Sequence, residues 1–532
     1  MDARLINEEL TVLAKCVSAG DFSHCLPRAK RVLESIERLD ESELRNVFLL
    51  NVAAILTDLG AMQPNRTASE EGLRVYEEHK YEIVSVVGEA EYYYNLGNAK
   101  CGLLESIGPS KIGFNSIESL IEAKSILWRS VKLHRENGRQ VAPQVLVNLA
   151  NLLKRQFRVS EALSFYDRVI QLGLDIPQAW LNRSEALMLL NYVSGSYSIK
   201  MLREVKKGYE QALVSQEIPP PWRSHYQQQV EFHEGKIRDA CYELDEESDP
   251  ELDAHETALE FEGFNGIRQF ILTNHLSLSE HGLYCNCVGS SRDDLTIPTA
   301  SGVYGDFVPA MEMVLNRLKS EFSLARRFYY EYQYAKVDDV SDYESCYSEL
   351  FNGELLGVDV EKLRTAFRVC FGILDKIAAA VCDLYKVHPE SGMVYFQGFW
   401  QLDRNNRRAV FERIKTPGLL ALYSLATDLN EQKDGELAFY KKWRNDLEHK
   451  FLVIYDPEQA GDVYESYKVV GDVIKISEPE FVDNLQQLLQ LTRSAIFSFV
   501  FCVREKGANE ENKDAIYFPR IIGRKDSFGG RS

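Results

Sequence analysis

The sequence predicts an all-α protein in which a helical repeat array is followed by a helical bundle. Three observations favour this fold class. Helical patterning with few strand signals fills residues 1–240, part of that region repeats itself with a period of 34 residues, and an apolar seam with spacings of four and three extends from Leu363 to Leu384. At ~100–200 residues per domain, a chain of 532 residues predicts two to four domains.

The first domain is expected over residues 1–240. Packed positions of two short antiparallel helices are marked by Leu146, Leu149, Leu153, Ala162, Tyr166 and Val169. A shift of 34 residues carries Leu146 onto Trp180 and Leu153 onto Leu187, and further units are degenerate, with an insertion around 194–198. This period resembles the tetratricopeptide (TPR) repeat, whose stacked helix pairs form a groove. The resemblance implies a protein or peptide ligand in that groove; a generic helical bundle is the alternative.

Residues 241–304 are expected to form an acidic linker and connecting segment. Residues 241–262 carry ten acidic side chains and no Lys or Arg, a composition typical of a solvated linker. The alternative is a docking strip for a basic surface on a partner or on the same chain.

The connecting segment also holds four residues whose side chains are common zinc ligands, namely His275, His281, Cys285 and Cys287. The Cys-x-Cys spacing differs from the usual clip of a structural zinc site. We therefore favour an ordinary loop with incidental Cys and His, and we expect neither a metal nor a cofactor. Metal-dependent chemistry at these four residues is the less favoured alternative.

A second helical domain is expected over residues 305–510, followed by a basic tail at 511–532. The apolar spacing predicts helices near 307–334, 363–384, 418–429, 436–454 and 480–505, with a loop and a short extended piece at 455–476. Four to six helices of this kind form a bundle, whose function depends on side chains of facing helices.

The predicted helix at 436–454 carries Arg444, Asn445 and His449. Asn445 and His449 are four residues apart and share one helix face, and Arg444 is about 100° round the helix. A titratable imidazole, an amide and a permanent cation together suit a phosphodiester. The alternatives are a surface ion pair between Arg444 and Glu448, and a histidine buried in the core.

An Arg-Asn-x3-His motif in a helical bundle resembles the signature of the HEPN superfamily. The resemblance covers residues 306–503 and is strongest to a bacterial subgroup. It is carried, in the family's order, by Ser320–Arg327, Leu374–Ala378, Leu422 and Tyr423 with Asp428, and the motif itself with Glu448–Lys450.

The resemblance implies a metal-independent endoribonuclease whose active site forms where the motif helices of two protomers meet. The chemistry favours the same arrangement, because attack by a ribose 2′-hydroxyl needs a base and an acid, and each chain offers one motif histidine. Two copies of His449 would supply both roles, Arg444 would stabilise the phosphorane, and Asn445 would orient the imidazole or phosphate. Weaker supporting candidates, which ion pairs between helices explain equally well, are Glu321, Arg326, Asp375 and Lys376.

The net charge of −19 argues against a broad nucleic-acid coat, since 61 basic residues face 80 acidic ones. A confined site for single-stranded RNA or tRNA remains compatible with it. Weak candidates for RNA binding are Arg404, Arg407, Arg408, Lys441 and Lys442. The aromatic residues before them, Tyr395, Phe396, Phe399 and Trp400, suit base stacking or, more commonly, core packing.

These observations together predict a cytoplasmic, homodimeric ribonuclease, of the kind found among toxins and antiviral defence effectors, restrained by its repeat half. Removal of residues 1–240 should then raise its activity. The longest late apolar stretch, 495–503, is about half the ~20 residues that span a bilayer, so no membrane association is expected. The alternative is a non-catalytic scaffold that binds protein or RNA.

Overall fold

The computed structural model describes residues 1–62, 65–104, 108, 111–195, 198–244, 250–297, 310–335, 353–390, 393–458 and 473–509. Within these ranges the chain forms nineteen α-helices and one two-stranded parallel sheet, and the all-α prediction is confirmed. The helices before the acidic run are α1 (Ala3–Ala19), α2 (Cys25–Glu37), α3 (Glu43–Met62), α4 (Arg66–Glu78), α5 (Lys80–Leu104), α6 (Ile117–Glu136), α7 (Pro143–Arg155), α8 (Val159–Gln171), α9 (Pro177–Ser194), α10 (Ile199–Val214) and α11 (Pro220–Leu244). The later elements are α12 (Pro250–Glu262), α13 (Gly266–Thr273), α14 (Ala310–Tyr334), α15 (Val358–Tyr385), α16 (Asn405–Arg413), α17 (Pro417–Asp428), α18 (Phe439–His449), β1 (Leu452–Tyr455), β2 (Ile474–Ser477) and α19 (Glu478–Asn509).

Helices α7 to α10 have the pairing that the 34-residue period predicts. Proline occupies the first turn of both α7 and α9, at Pro143 and Pro177, where the missing N–H has no helical partner to lose. Helix α7 packs on α8 and α9, and α9 packs on α10. The insertion expected near 194–198 separates α9 from α10. Successive units also touch through polar groups, since Asn148 donates to Asn98 at 2.7 Å.

The apolar side chains form two cores. The first core spans Ile6 to Ala99 and belongs to α1–α5. The second begins at Leu104 and continues to Val503, so that α6–α10 and the C-terminal bundle share one interior. The helical units from α6 onward are therefore not a separate body that a linker joins to the bundle.

Helix α3 is long and apolar enough to cross a membrane by length and composition alone. It packs on α2, α4 and α5, and Leu49, Val52 and Leu56 are fully buried in the first core. Its position as a core helix accounts for its apolar composition.

The segment expected to link the domains is mostly built into the fold. Among the described residues, the acidic run continues α11 to Leu244 and forms α12. After α13, Leu276 and Leu278 are fully buried in the second core. The solvated linker expected over the acidic run is thus largely helical where the structure describes it, and residues 266–297 are part of the interior.

A buried ion cluster joins the repeat array to the bundle. Asp428, at the end of α17, pairs with Lys124 of α6 and with Arg158, which lies 2.5 Å away and immediately precedes α8. All three side chains are almost completely buried. Arg158 also pairs with Glu161 at 2.6 Å. Burial alone would raise the pKa of Asp428, but Arg158 and Lys124 hold it below its ordinary value.

Deletion of residues 1–240 would remove both cations of this cluster and strip apolar surface from the bundle. An isolated charge in a protein interior is strongly unfavourable. Loss of activity in that truncated chain would therefore report unfolding, and the deletion does not test whether the array restrains the bundle.

The last part of the bundle differs from the sequence prediction in one element. The helix expected over 436–454 ends at His449, and Leu452–Tyr455 form strand β1, which pairs in parallel with β2. Leu452, Val453 and Ile454 are a continuous apolar run with two β-branched residues, all buried, and such runs fit a buried strand. His449 consequently occupies the last residue of a helix, whereas the prediction placed it in mid-helix.

We expect the substitution Asp428→Ala to lower the free energy of unfolding by about 3–5 kcal/mol, because it leaves Lys124 and Arg158 buried without their shared carboxylate. Chemical denaturation followed by circular dichroism measures the change. The matched control is Glu431→Ala, which removes an exposed carboxylate nearby and should change stability by no more than about 0.5 kcal/mol. Equal stability of the two variants would contradict the importance of the cluster.

Candidate active site

The helix that carries the motif, α18, is held by aromatic side chains on its inner face. Tyr440 is fully buried and donates its hydroxyl hydrogen bond to the backbone oxygen of Asn484 at 3.0 Å. Trp443 stacks on Phe481 of α19, with ring centroids 5.8 Å apart and planes 12° from parallel. Phe367 of α15 contacts both Tyr440 and Trp443. These contacts fix the direction in which the opposite face points.

The opposite face of α18 presents the motif to the surface. His449 is exposed, and Arg444 and Asn445 are half-buried. The Arg444 guanidinium donates to the Asn445 side-chain oxygen across 3.3 Å. Lys441, Asn445 and His449 follow one another at intervals of four residues, so they form one stripe along the helix. The stripe offers an ammonium, an amide and an imidazole in that order.

Asp375 of α15 lies within electrostatic reach of the motif. Its carboxylate accepts the backbone N–H of Phe396 at 3.0 Å. Burial raises the pKa of Asp375 above its ordinary value, while that hydrogen bond and the charges of Arg444 and Lys376 offset part of the rise. A carboxylate beside Arg444 helps to hold the guanidinium near the motif face.

Glu321 and Lys376 meet each other across α14 and α15. Lys376 lies 2.8 Å from the Glu321 carboxylate, which also pairs with Arg317 at 2.7 Å. Burial opposes ionisation, but these two cations bring the pKa of Glu321 below its ordinary value. The pair is thus an ion pair between helices, the alternative that the sequence left open for it.

Arg326 does not join this group. Its guanidinium binds the carboxylate of Asp293 and donates to the backbone oxygen of Leu276 at 2.8 Å, and the side chain is only 6% exposed. The prediction that Arg326 supports the site is therefore corrected: it fastens α14 to the segment after α13.

The arginines predicted as an RNA-binding surface are mostly internal contacts. Arg407 donates to backbone oxygens, including that of Phe399 at 2.9 Å, and Arg408 pairs with Glu118 of α6 at 2.9 Å. Arg404 is exposed and lies 3.2 Å from Glu390. Arg407 and Arg408 are therefore corrected from RNA contacts to structural residues, because their donors are already occupied.

Lys441 and Lys442 remain as surface cations, since both are exposed on α18. The aromatic residues near the arginines divide in a similar way. Phe396, Phe399 and Trp400 are buried, with Phe399 and Trp400 in contact at 4.4 Å between ring centroids. These three belong to the core, and Tyr395, at 45% exposure, remains on the surface.

The sequence reasoning missed the apolar surface around the motif. Phe439 at the start of α18 is 40% exposed, and Phe451, two residues after His449, is 59% exposed. Met393 and Tyr395, close to the Asp375 partner Phe396, are 75% and 45% exposed. A signal for part of this surface was available, because Phe451 falls off the apolar face of an ideal continuation of α18.

The four-residue Cys and His segment also separates in space. The ligand atoms of His281, Cys285 and Cys287 lie within 4.8 Å of one another. His275 is not one of this group, and burial lowers its pKa to about 4.

Comparison with known proteins assigns the C-terminal bundle. Residues 304–506 match the model of the family described as LA2681-like HEPN. The C-terminal part of the chain is a HEPN domain. The domain carries the motif helix α18, and the resemblance that the sequence indicated over 306–503 is confirmed. None of the curated proteins compared with the chain matches it.

The family assignment also sets the order of the chain. A helical N-terminal region with repeat-like pairs precedes the HEPN domain, as the sequence predicts. HEPN domains are commonly ribonucleases, so RNA cleavage or other nucleotide-related chemistry is the activity class that the assignment suggests.

We expect Trp443→Ala to lower the free energy of unfolding by about 3–5 kcal/mol, because it removes the stacked anchor between α18 and α19 and leaves a cavity. Denaturant titration of purified protein measures the loss. Lys441→Ala, one turn of the argument outward on the exposed face, should cost no more than about 0.5 kcal/mol. Similar values for both would show that the motif helix is not held by its aromatic face.

Proposed function

We propose that this chain is a metal-independent endoribonuclease that cuts single-stranded RNA or tRNA at a site shared by two HEPN domains. The observation that carries the proposal is the position of His449: an exposed imidazole at the end of α18, on the same stripe as Asn445 and beside Arg444. Among the described residues no hydrogen bond restrains the imidazole, so it is open to a substrate.

The proposed reaction is attack of a ribose 2′-oxygen on the adjacent phosphorus, with departure of the 5′-oxygen. One His449 removes the proton from the 2′-hydroxyl, and His449 of a second copy donates a proton to the leaving 5′-oxygen. Arg444 neutralises the extra negative charge of the phosphorane, and Asn445 orients the guanidinium to which it is bonded. The products are a 2′,3′-cyclic phosphate and a 5′-hydroxyl end.

The need for two copies follows from how the groups are placed. The 2′-oxygen and the 5′-oxygen lie on opposite sides of phosphorus in an in-line displacement, and each chain offers one motif histidine. The exposed side chains of Phe439 and Phe451 support a covered surface next to the motif, because apolar patches of this kind mark interaction sites. A two-fold interface would place the same patch against itself and bring both α18 helices together.

RNA would reach this interface along a short basic stripe. Lys441 and Lys442 are exposed near the motif, whereas Arg407 and Arg408 are occupied elsewhere. A limited cationic surface on a chain of charge −19 suits a confined contact with a few phosphates. The repeat array would bind a protein or peptide and regulate the nuclease, in the manner of a cytoplasmic toxin or antiviral defence effector, through the core that it shares with the bundle.

We expect purified full-length protein to cleave RNA in the presence of EDTA, and His449→Ala and Arg444→Ala to remove that activity. The loss should be about 10²–10⁴-fold for His449→Ala, the usual contribution of a general acid or base. For Arg444→Ala it should be about 10²–10³-fold, as for a lost electrostatic stabiliser. Gel analysis of labelled RNA, with identification of the cyclic phosphate ends, measures both.

His388→Ala serves as the matched control, because His388 is an exposed histidine of the same domain, paired with Asp383. It should retain full activity. Equal cleavage by all variants would identify a contaminant. RNA binding without cleavage by the unaltered chain would instead support the non-catalytic scaffold.

We expect Phe451→Glu to raise the dissociation constant of the dimer about tenfold or more, since it places a charge in an apolar contact. Specific cleavage activity should then fall at low protein concentration and recover as the concentration rises. Analytical ultracentrifugation and dilution series measure the two effects.

The control for Phe451→Glu is Leu174→Glu, which changes a side chain of similar exposure in the loop between α8 and α9. If activity per chain is independent of concentration for the unaltered protein and for Phe451→Glu, the shared site is wrong.

A further inference from the structure

The segment after α13 brings one histidine and two cysteines together. Nε2 of His281 lies 3.0 Å from Sγ of Cys287, and all three ligand atoms of His281, Cys285 and Cys287 are within 4.8 Å of one another. Cys285 is buried, and the other two side chains are half-buried. Two thiol groups and an imidazole so arranged form a three-ligand set.

The backbone holds these side chains in place. The N–H of Cys285 donates to the oxygen of His281 at 3.0 Å, and the N–H of Ser290 donates to the oxygen of Cys287 at 2.8 Å. Gly289 passes close to the group, because a Cβ there would lie 3.1 Å from His281 and 3.4 Å from the Cys287 sulfur. The loop is therefore wound around the three ligand atoms, with no room for a side chain at that position.

The histidine ring is also oriented from behind. The hydroxyl of Tyr284 lies 3.1 Å from Nδ1 of His281, and the hydroxyl of Ser198 lies 3.0 Å from that of Tyr284. With Nδ1 engaged, Nε2 faces the two sulfurs. Histidines that bind metals are commonly oriented in this way, by a hydrogen bond at the nitrogen that does not bind the metal.

We propose that His281, Cys285 and Cys287 bind one Zn²⁺ ion, with a fourth ligand from outside the triad. Donor atoms of a tetrahedral site with Zn–S of about 2.3 Å and Zn–N of about 2.0–2.1 Å are roughly 3.5–3.8 Å apart, so the triad needs only a small contraction. Thiolate and imidazole ligands favour zinc over magnesium or calcium. Binding releases the protons of the two thiols.

The location of the triad assigns the ion a structural role. Tyr284 reaches Ser198 before α10, while Glu280, next to His281, pairs with Arg504 of α19 at 2.6 Å. Arg504 also donates to the backbone oxygen of Ser194 at 3.0 Å. Zinc would thus fix the loop where the repeat array, the segment after α13 and the last helix of the HEPN domain meet. This role is independent of the proposed ribonuclease activity.

The test uses full-length protein purified under reducing conditions without a metal-affinity step, and zinc is measured by mass spectrometry of the elements. We expect one zinc ion per chain, lost in His281→Ala and Cys287→Ser. The matched controls His388→Ala and Cys16→Ser remove the same residue types outside the triad and should retain it. Chelation should lower the melting temperature of the unaltered chain, and added zinc should restore it.

A second measurement keeps the proposal testable if the ligand variants fail to fold. Tyr284→Phe retains all three ligands and should weaken zinc affinity by about tenfold or more, because it removes the hydrogen bond to Nδ1. Co²⁺ added to the zinc-free chain should give tetrahedral bands and thiolate charge-transfer absorption. The proposal is overturned by a zinc-free chain without that absorption, by a Cys285–Cys287 disulfide in the reduced preparation, or by equal zinc in every variant.

Zinc content measured in the EDTA samples of the cleavage assay separates the two proposals. Cleavage without zinc would leave the ribonuclease intact and overturn only the zinc site. Zinc without cleavage would do the reverse.

Discussion

The carboxylate of Asp428 is the point on which the arrangement of the chain depends. It ends a helix whose every residue is buried, and it takes one cation from α6 and another from the start of α8. Bringing three charges out of water costs more than an equivalent apolar contact, so such a cluster contributes more to the choice of one arrangement than to raw stability. Because the two cations come from the repeat array and the anion from the HEPN domain, the cluster fixes how the two are joined.

Much of the fold follows from periodicity in the sequence. The 34-residue period predicts the helix pairs α7/α8 and α9/α10, and the seam from Leu363 to Leu384 predicts α15. What periodicity does not contain is which apolar face meets which. The shared core from Leu104 to Val503 arises from contacts between residues hundreds of positions apart, and a run of acidic residues between them reads as a boundary although the chain around it is built into the interior.

The candidate site was predictable in its chemistry and less so in its setting. The motif residues are where their spacing places them, on the outer face of α18. The supporting residues divide according to partners that no local pattern reveals: Arg326 is taken by Asp293, and Arg408 by Glu118. Likewise the end of α18 at His449 depends on the pairing of β1 with β2, a contact across a long stretch of chain. Ending the helix there leaves the imidazole at a rim, where a second chain can meet it.

The division into two cores has a consequence for how such proteins can diversify. Exchange of sensor modules between related chains succeeds where few buried contacts cross the joint. In this chain a joint near residue 240 would separate Asp428 from both of its cations, whereas the helices before Leu104 pack mainly on one another. The part that recombination can replace is therefore α1–α5, and α6–α10 are inherited together with the nuclease-like bundle as one unit.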